Sequence, residues 1–483
     1  MDGALPVTTP RRLTFLLSLL LALVALPQGA SAQISEAALR AHIDWLADDA
    51  RLGRATGGPT ERDVTGYIAG TFAQAGLKPG WKGQWLQPVH VISRQQRDAA
   101  LTVRLADGGT QSAGSDELLL LGDRRGFARL GATPLLYLGD VDQAMASRRD
   151  DLSGKAVIVR LNDPSADQSA AFARICGMLA QRGVRAVIAA PRSVSWFALT
   201  QRIRNGLWDL DDRPIAPFEG ALSPAAAERV LAAMGAGHNA PATVRGFART
   251  AVERRASHNV VARIPGSDPA AGAVVLLAHW DHIGLCRRTG DRICNGAVDN
   301  ASGVAALMEI GRALAHGPQP RRDILLLAST AEELGLLGSR AFAKDPPVPI
   351  GSIVAGFNLD SIAIAPRDAP LAVVGRGQTR LDPYIAQVAR ATGRTIGDTP
   401  GADIYFTRQD GYSLIEAGVP AVMITSSFAD DRWLGPYIEQ HYHQPSDDPA
   451  DVAELGGAAQ DADFHVALAR FFADPAKYPA PHH

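Results

Sequence analysis

The feature that most constrains the fold is a run of apolar residues, Val274-Val275-Leu276-Leu277-Ala278. Gly272 stands just ahead of it and His279-Trp280-Asp281-His282 follows. A stretch that is apolar at consecutive positions must be covered on both faces, the condition of a central strand in a parallel sheet. Two more such runs follow. Ile324-Leu325-Leu326-Leu327-Ala328 leads into Glu332-Glu333, and Ile353-Val354-Ala355-Gly356-Phe357 leads into Asn358-Leu359-Asp360. Ligands in open α/β sheets bind beyond the carboxyl ends of the strands. One strand-end histidine is ordinarily just a hydrogen-bonded residue. Three successive strands ending in His, Glu or Asp describe a site.

Two further segments join it. Gly296-Ala297-Val298-Asp299-Asn300-Ala301-Ser302-Gly303 sets a carboxylate just before a helical pattern, with Val304, Leu307, Met308, Gly311 and Leu314 on one face. Much later comes His441-Tyr442-His443-Gln444-Pro445-Ser446-Asp447-Asp448. The set His279, Asp299, Glu333, Asp360 and His443 has the size and softness for two zinc ions. Imidazole and carboxylate suit zinc, and one carboxylate can bridge cations about 3.5–4 Å apart. Five ligands for two ions leave each an open position, as catalytic sites require. Glu332, beside a ligand, is placed as general base. Asp281 is placed to orient the imidazole of His279.

In order, the motifs are His-x-Asp, Gly-Ala-x-Asp-Asn-x-Ser-Gly, Ala-Glu-Glu-x-Gly-Leu-x-Gly-Ser, Asn-x-Asp and Tyr-His-x-Pro-x-Asp. Over residues 255–450 they resemble peptidase family M28, the co-catalytic zinc metallopeptidases. The resemblance implies a zinc-peptidase/phosphorylase-like α/β fold, with a mixed, largely parallel central sheet and helices on both faces. It implies that His279, Asp299 and Asp360 hold one zinc, and that Asp299, Glu333 and His443 hold the other. Asp299 would bridge, followed by a cis peptide bond. Glu332 would be the catalytic base and Asp281 the support of His279, while His443 rather than His441 is the ligand. The implied activity is an exopeptidase acting on peptides, foremost an aminopeptidase. A glutamate carboxypeptidase would need a basic pocket, and no cluster of arginines is committed to one. A glutaminyl cyclase would not need the bridging set, and a receptor-like binding module would have lost ligands or base. One departure bears on specificity: family members commonly carry Ser-Asp-His where this chain has Gln409-Asp410-Gly411. Tyr405, Phe406 and Tyr412 stand near it as a wall for a substrate side chain.

Arg11-Arg12, the apolar run Phe15–Leu26 and Pro27-Gln28-Gly29-Ala30-Ser31-Ala32 read as a signal peptide over residues 1–32. The apolar run is too short to span a bilayer. A periplasmic or secreted protein with no membrane association after cleavage is expected. Lys plus Arg number 48 against 50 Asp plus Glu, so no charge excess favours nucleic acid or an anionic membrane surface.

Residues 33–112 read as an N-terminal arm of the peptidase domain. Two helical stretches, Ile34 onward and Val64 to Leu77, are interrupted by a loop at Asp49-Ala50-Arg51-Leu52-Gly53-Arg54, and strands follow at Trp85–Val89 and Ala100–Val103. Residues 113–250 read as an insertion. The strand Ala156–Leu161, an amphipathic helix from Gln168 to Gly183 and the strand Val184–Ala190 form a βαβ-like unit. It resembles the protease-associated (PA) domain that some family members carry, and it clusters no residues for chemistry. The catalytic part resumes over residues 251–475. Cys286 and Cys294 flank a short loop and read as a disulfide, the alternative being two free thiols near the metals. Cys176 lies on an apolar stripe as a core thiol. His258 reads as structural and His282 stays without a role. His42, His90, His238, His316 and His465 read as surface residues.

Overall fold

The computed structural model describes residues 1, 3 and 33–479, apart from 148–150, 163–165, 194–195, 236–237, 239, 399–400 and 453. The leader read over residues 1–32 lies outside the described part, save for residues 1 and 3. Gln33–His483 forms one compact unit. No helix among the described residues is long and apolar enough to cross a membrane.

The elements that build the site are, in chain order, α1 (Glu36–Leu46), α2 (Glu61–Gln74), β1 (Leu86–Leu105), β2 (Ala242–Ile264), β3 (Ala273–His279), α3 (Gly303–Ala315), β4 (Asp323–Ser329), α4 (Leu337–Lys344), β5 (Ile353–Asn358), α5 (Gly411–Glu416), β6 (Ala421–Thr425) and α6 (Gly456–Phe472). The sheet runs from the edge strand Ala372–Val374 through β6, β5, β3 and β4 to β2. Within it β6, β5, β3 and β4 are mutually parallel, and the two flanking strands are antiparallel. This is the mixed, largely parallel sheet that the resemblance implies, and three of its parallel strands are the apolar runs. His279 pairs in register with Ser329, and Leu277 with Asn358, so the strands end level.

Both faces are covered. On one face, Leu276, Ala278, Leu326, Phe357 and Ile424 pack with side chains of α1, α2, α3 and α6. On the other, Val275, Leu277, Leu325 and Leu327 pack with Phe342 of α4 and Leu414 of α5. β3 is buried at every position, which is why its sequence does not alternate. α3 is enclosed well beyond the single stripe read from its sequence, with every residue from Gly303 to Gly311 buried.

Two expectations change in detail. Leu86–Val89 and Ala100–Val103 are parts of one twenty-residue strand, β1, which Trp85 just precedes, because β2 pairs with it along almost its whole length. His465, read as a surface residue, is fully buried in α6, where its Nδ1 meets the carbonyl of Asp461 at 2.8 Å. A helix closed on all sides leaves no spacing signal to separate its polar residue from an exposed one.

β2 joins two regions. Its second half pairs with β4 and its first half with the strand Phe127–Asp140, beyond which lie parallel strands Ala156–Leu161, Ala186–Pro191 and Phe218–Leu222. The strand–helix–strand read from Ala156 onward is present, its helix spanning Ala166–Gln181.

The arm docks on α3 through its apolar faces and one buried polar group. Glu309 of α3 accepts two hydrogen bonds from Arg312 Nε, at 3.2 and 3.0 Å, and lies 3.4 Å from His42 Nε2 of α1. His42 Nδ1 is in turn 2.7 Å from the Tyr67 hydroxyl of α2. His258 Nδ1 adds a contact to Glu61 at 2.9 Å. Burial acts to raise the Glu309 carboxyl, but His42 and Arg312 outweigh it and hold it at about 2, below the ordinary 4.5. A depressed carboxyl contributes stability above its unfolded pKa and loses it as pH falls through the folded one. Glu309→Gln should therefore lower stability by about 1–2 kcal/mol near neutral pH. Urea unfolding should show the gap from the unsubstituted protein closing as pH falls from 4.5 towards 2; a gap constant with pH would contradict this.

Candidate metal centre

Three strands, two turns and one C-terminal loop converge beyond the ends of β3, β4 and β5. His279 closes β3, and its Nε2 lies 3.3 Å from Asp299 Oδ1 and 3.6 Å from Asp360 Oδ1. Its Nδ1 faces the carbonyl of Asp281 at 3.1 Å. A carbonyl can only accept, so that nitrogen carries a proton, and Nε2 is the atom turned to the two carboxylates. The other oxygen of Asp299 faces a second group. His443 Nε2 is 3.3 Å from Asp299 Oδ2 and 3.2 Å from Glu333 Oε2. His282 Nδ1 is 2.8 Å from Glu333 Oε1 and 3.8 Å from Asp299 Oδ2. Two donor clusters, His279–Asp299–Asp360 and His282–Asp299–Glu333, thus share one carboxylate, with potential ligand atoms within 4.8 Å of one another in each.

The donor set fits a pair of cations. His282 Nδ1 and Nε2, Glu333 Oε1 and His443 Nε2 are buried and complete no hydrogen bond. Unpartnered lone pairs cost free energy in a protein interior unless something that accepts them is present. Glu332 lies in the loop after β4, its backbone N–H donating to Asp281 Oδ1 at 3.1 Å. Its carboxyl is pushed well above the usual carboxylate range, first by burial and then by Glu333, Asp410 and Asp360, with His279 acting the other way. Asp299 is held well below that range, because His279, His443 and His282 together outweigh its burial. Burial raises Asp281 to about 7.

The structure places His279, Asp299, Glu333, Asp360 and His443 together, with Glu332 and Asp281 beside them. His441 is turned away, its Nδ1 meeting the carbonyl of Ser446 at 2.8 Å. Asp281 differs in detail from its expected part. Its main-chain carbonyl faces His279, its carboxylate stays 3.9 Å from that imidazole, and the carboxylate instead receives Glu332 N–H and, at 2.8 Å, the Thr56 hydroxyl. The Asp299–Asn300 peptide bond is cis. Cys286 and Cys294 are disulfide-bonded and Cys176 is buried and free. Asp410 is fully buried at the start of α5 and accepts from Ser329 Oγ. Tyr405 and Phe406 pack with Val374, Ala402, Met423 and Phe428.

Sequence reasoning missed three contributors. His282 was visible as the fourth residue of His-x-Asp-His, but nothing local aims its ring at Glu333. Asp447 was visible inside the histidine motif. Its two oxygens accept the N–H groups of Val298 and Asp299 at 2.8 and 3.0 Å, fixing the turn that carries the shared carboxylate. Thr56 carried no signal at all.

Residues 259–461 match the sequence profile described as Peptidase family M28. Shorter stretches are similar to curated proteins. One is a vacuolar membrane protease of Candida albicans, 38% identical over 90 residues, which are 19% of this chain and 10% of that protein. Another is a probable glutamate carboxypeptidase of Arabidopsis thaliana, 38% identical over 108 residues, 21% of this chain and 14% of that protein. The chain thus spans about a tenth of the length of the first of these relatives. An aminopeptidase structure from Aneurinibacillus sp. strain AM-1 shares the fold over 92% of this chain and 95% of its own, at 19% identity and a TM-score of 0.51. The profile match contains every side chain from His279 to His443 described above, so the part of the chain that carries the site is similar to Peptidase family M28.

Proposed function

We propose that this chain is an exported zinc exopeptidase, most specifically an aminopeptidase that removes N-terminal residues from peptides. The observation that carries the reading is the Asp299 carboxylate, which offers one oxygen to His279's cluster and the other to that of Glu333 and His443. On this reading His279, Asp299 and Asp360 hold one zinc, and Asp299, Glu333 and His443 hold the other. His282 stands against Glu333 as a further donor. Bound there, the two ions would supply Lewis acidity towards a peptide carbonyl and lower the pKa of water towards neutrality.

The chain's own residues account for the rest. Glu332 takes a proton from water as that water attacks the scissile carbonyl, and passes it to the leaving amine. Water and amide thereby become a carboxylic acid and an amine, which near neutral pH stand as carboxylate and ammonium. Asp281 and Thr56 hold the Glu332 loop against the end of β3. Residues 113–250 serve as an inserted protease-associated type of domain. Its residues Trp208 and Leu210 pack beside Ala331 and Leu337, next to that loop.

A glutamate carboxypeptidase is the second reading, because a probable member of that class is among the similar proteins. It calls for a cation facing the substrate carboxylate. Arg54, which touches the turns that carry His279 and Asp299, is buried and bound to main-chain carbonyls.

Peptides blocked at one end or the other separate the two. With zinc present, peptides with a blocked C-terminus and free N-terminus should be shortened, those with a blocked N-terminus should not, and a chelator should stop the reaction. Cleavage of only N-blocked peptides would favour the carboxypeptidase, and no cleavage of either by a zinc-loaded protein would favour a binding module. Glu332→Gln should lower kcat by about 10²–10⁴-fold with zinc content unchanged. Loss of zinc along with activity would mean that Glu332 is a ligand and not the base.

A further inference from the structure

Arg54 is almost completely buried, yet every hydrogen bond of its guanidinium goes to a main-chain carbonyl. Nε donates to Trp280 at 2.9 Å. One terminal nitrogen donates to Leu46 at 2.9 Å and Asn295 at 2.6 Å, and the other to Gly296 at 2.8 Å. The carbonyl of Arg54 itself accepts the N–H of His282 at 3.1 Å. These partners are not scattered. Trp280 lies between His279 and Asp281, and Asn295 and Gly296 lie just ahead of Asp299. One planar group therefore spans the turn that delivers His279 and His282 and the turn that delivers Asp299.

The backbone is bent to bring it there. Leu52, Gly53 and Arg54 follow one another at φ of 50°, 67° and 48°, a run that side chains rarely adopt. A Cβ at Gly53 would lie 2.3 Å from the carbonyl of Cys294, so only glycine lets the arm come this close to the disulfide-bonded loop. Asn295 completes the joint, its side-chain amide donating to Ala47 O at 2.7 Å and to Asp49 at 2.9 Å. Asp447, Asp299, Asp281 and Glu333 are the carboxylates that act on this charge from a distance.

We propose that Arg54 is a positioning residue of the metal centre. Its guanidinium fixes the spacing between the His279–His282 turn and the Asn295–Asp299 turn, so that Asp299 faces both donor clusters before a cation arrives. It also leaves one positive charge among the site's carboxylates. The proposal rests on the two-zinc reading above. Lysine cannot substitute for it, because an ammonium group does not present a planar fork to carbonyls on two segments.

The test compares the full chain with Arg54→Lys and Arg54→Met, reading zinc affinity by competition with a chromophoric chelator, thermal unfolding with and without zinc, and peptide hydrolysis at saturating zinc. Both variants should bind zinc about 10–100-fold more weakly, and the rise in Tm on adding zinc should shrink. At saturating zinc kcat should fall with KM nearly unchanged. A purely structural arginine would lower Tm equally with and without zinc and leave affinity within twofold of the unsubstituted protein, which would overturn the proposal. Failure of both variants to fold would overturn it too, by making Arg54 a requirement of the fold as a whole. If the unsubstituted protein binds no zinc, the two-zinc reading fails, an outcome distinct from either of these.

Discussion

Negative charge drawn into one buried place is the condition to which the rest of this structure answers. Asp299, Glu333, Glu332, Asp281 and Asp447 gather at the end of one sheet, Asp299, Asp281 and Asp447 buried and the two glutamates half-buried. Carboxylates so placed repel one another and lose hydration, and a protein interior tolerates that only where fixed positive charge, oriented N–H groups or a cation offsets it. Histidines are spread across the cluster, N–H groups of Val298, Asp299 and Glu332 are aimed into it, and one arginine is walled in beside it. What these do not neutralise is the attraction that zinc would meet.

The strands that gather these groups were legible because their apolar runs are unbroken, and a strand covered on both faces has no other way to read. The five donors were legible because each sits at a strand end or in a short motif whose residue types are themselves the chemistry. What escaped was held by partners far away in the chain. Asp447 reaches back 149 positions to Val298 and Arg54 forward 242 to Gly296. In both cases the partner is a main-chain atom, which any residue supplies, so the sequence of the partner carries no mark of it. His282 failed for a different reason: a histidine beside His-x-Asp reads equally as neighbour or as donor, and its ring lies 2.6 Å from where a Cβ at Gly296 would be, a fit that no local pattern announces.

The arm makes the same point about folding as about function. α1 and α2 are amphipathic helices that bury Leu39, Ile43, Val64 and Phe72 on the core, and any such pair could cover that surface. Their connecting turn is what ties them to this site, since it brings Thr56 to Asp281 and Arg54 to the two ligand-bearing turns. Packing gives the arm its place, and a few polar contacts give it its effect.

The unbroken ladder between β1 and β2 has a mechanical meaning. Two lobes joined by flexible linkers can swing like a jaw, whereas lobes that share main-chain hydrogen bonds along one ribbon can only flex as a plank does. Widening the gap between them would require twisting that ribbon along its length. Any opening near the cluster therefore falls to the loops around it, because residues 113–250 are tied to the sheet that carries it by a continuous ladder.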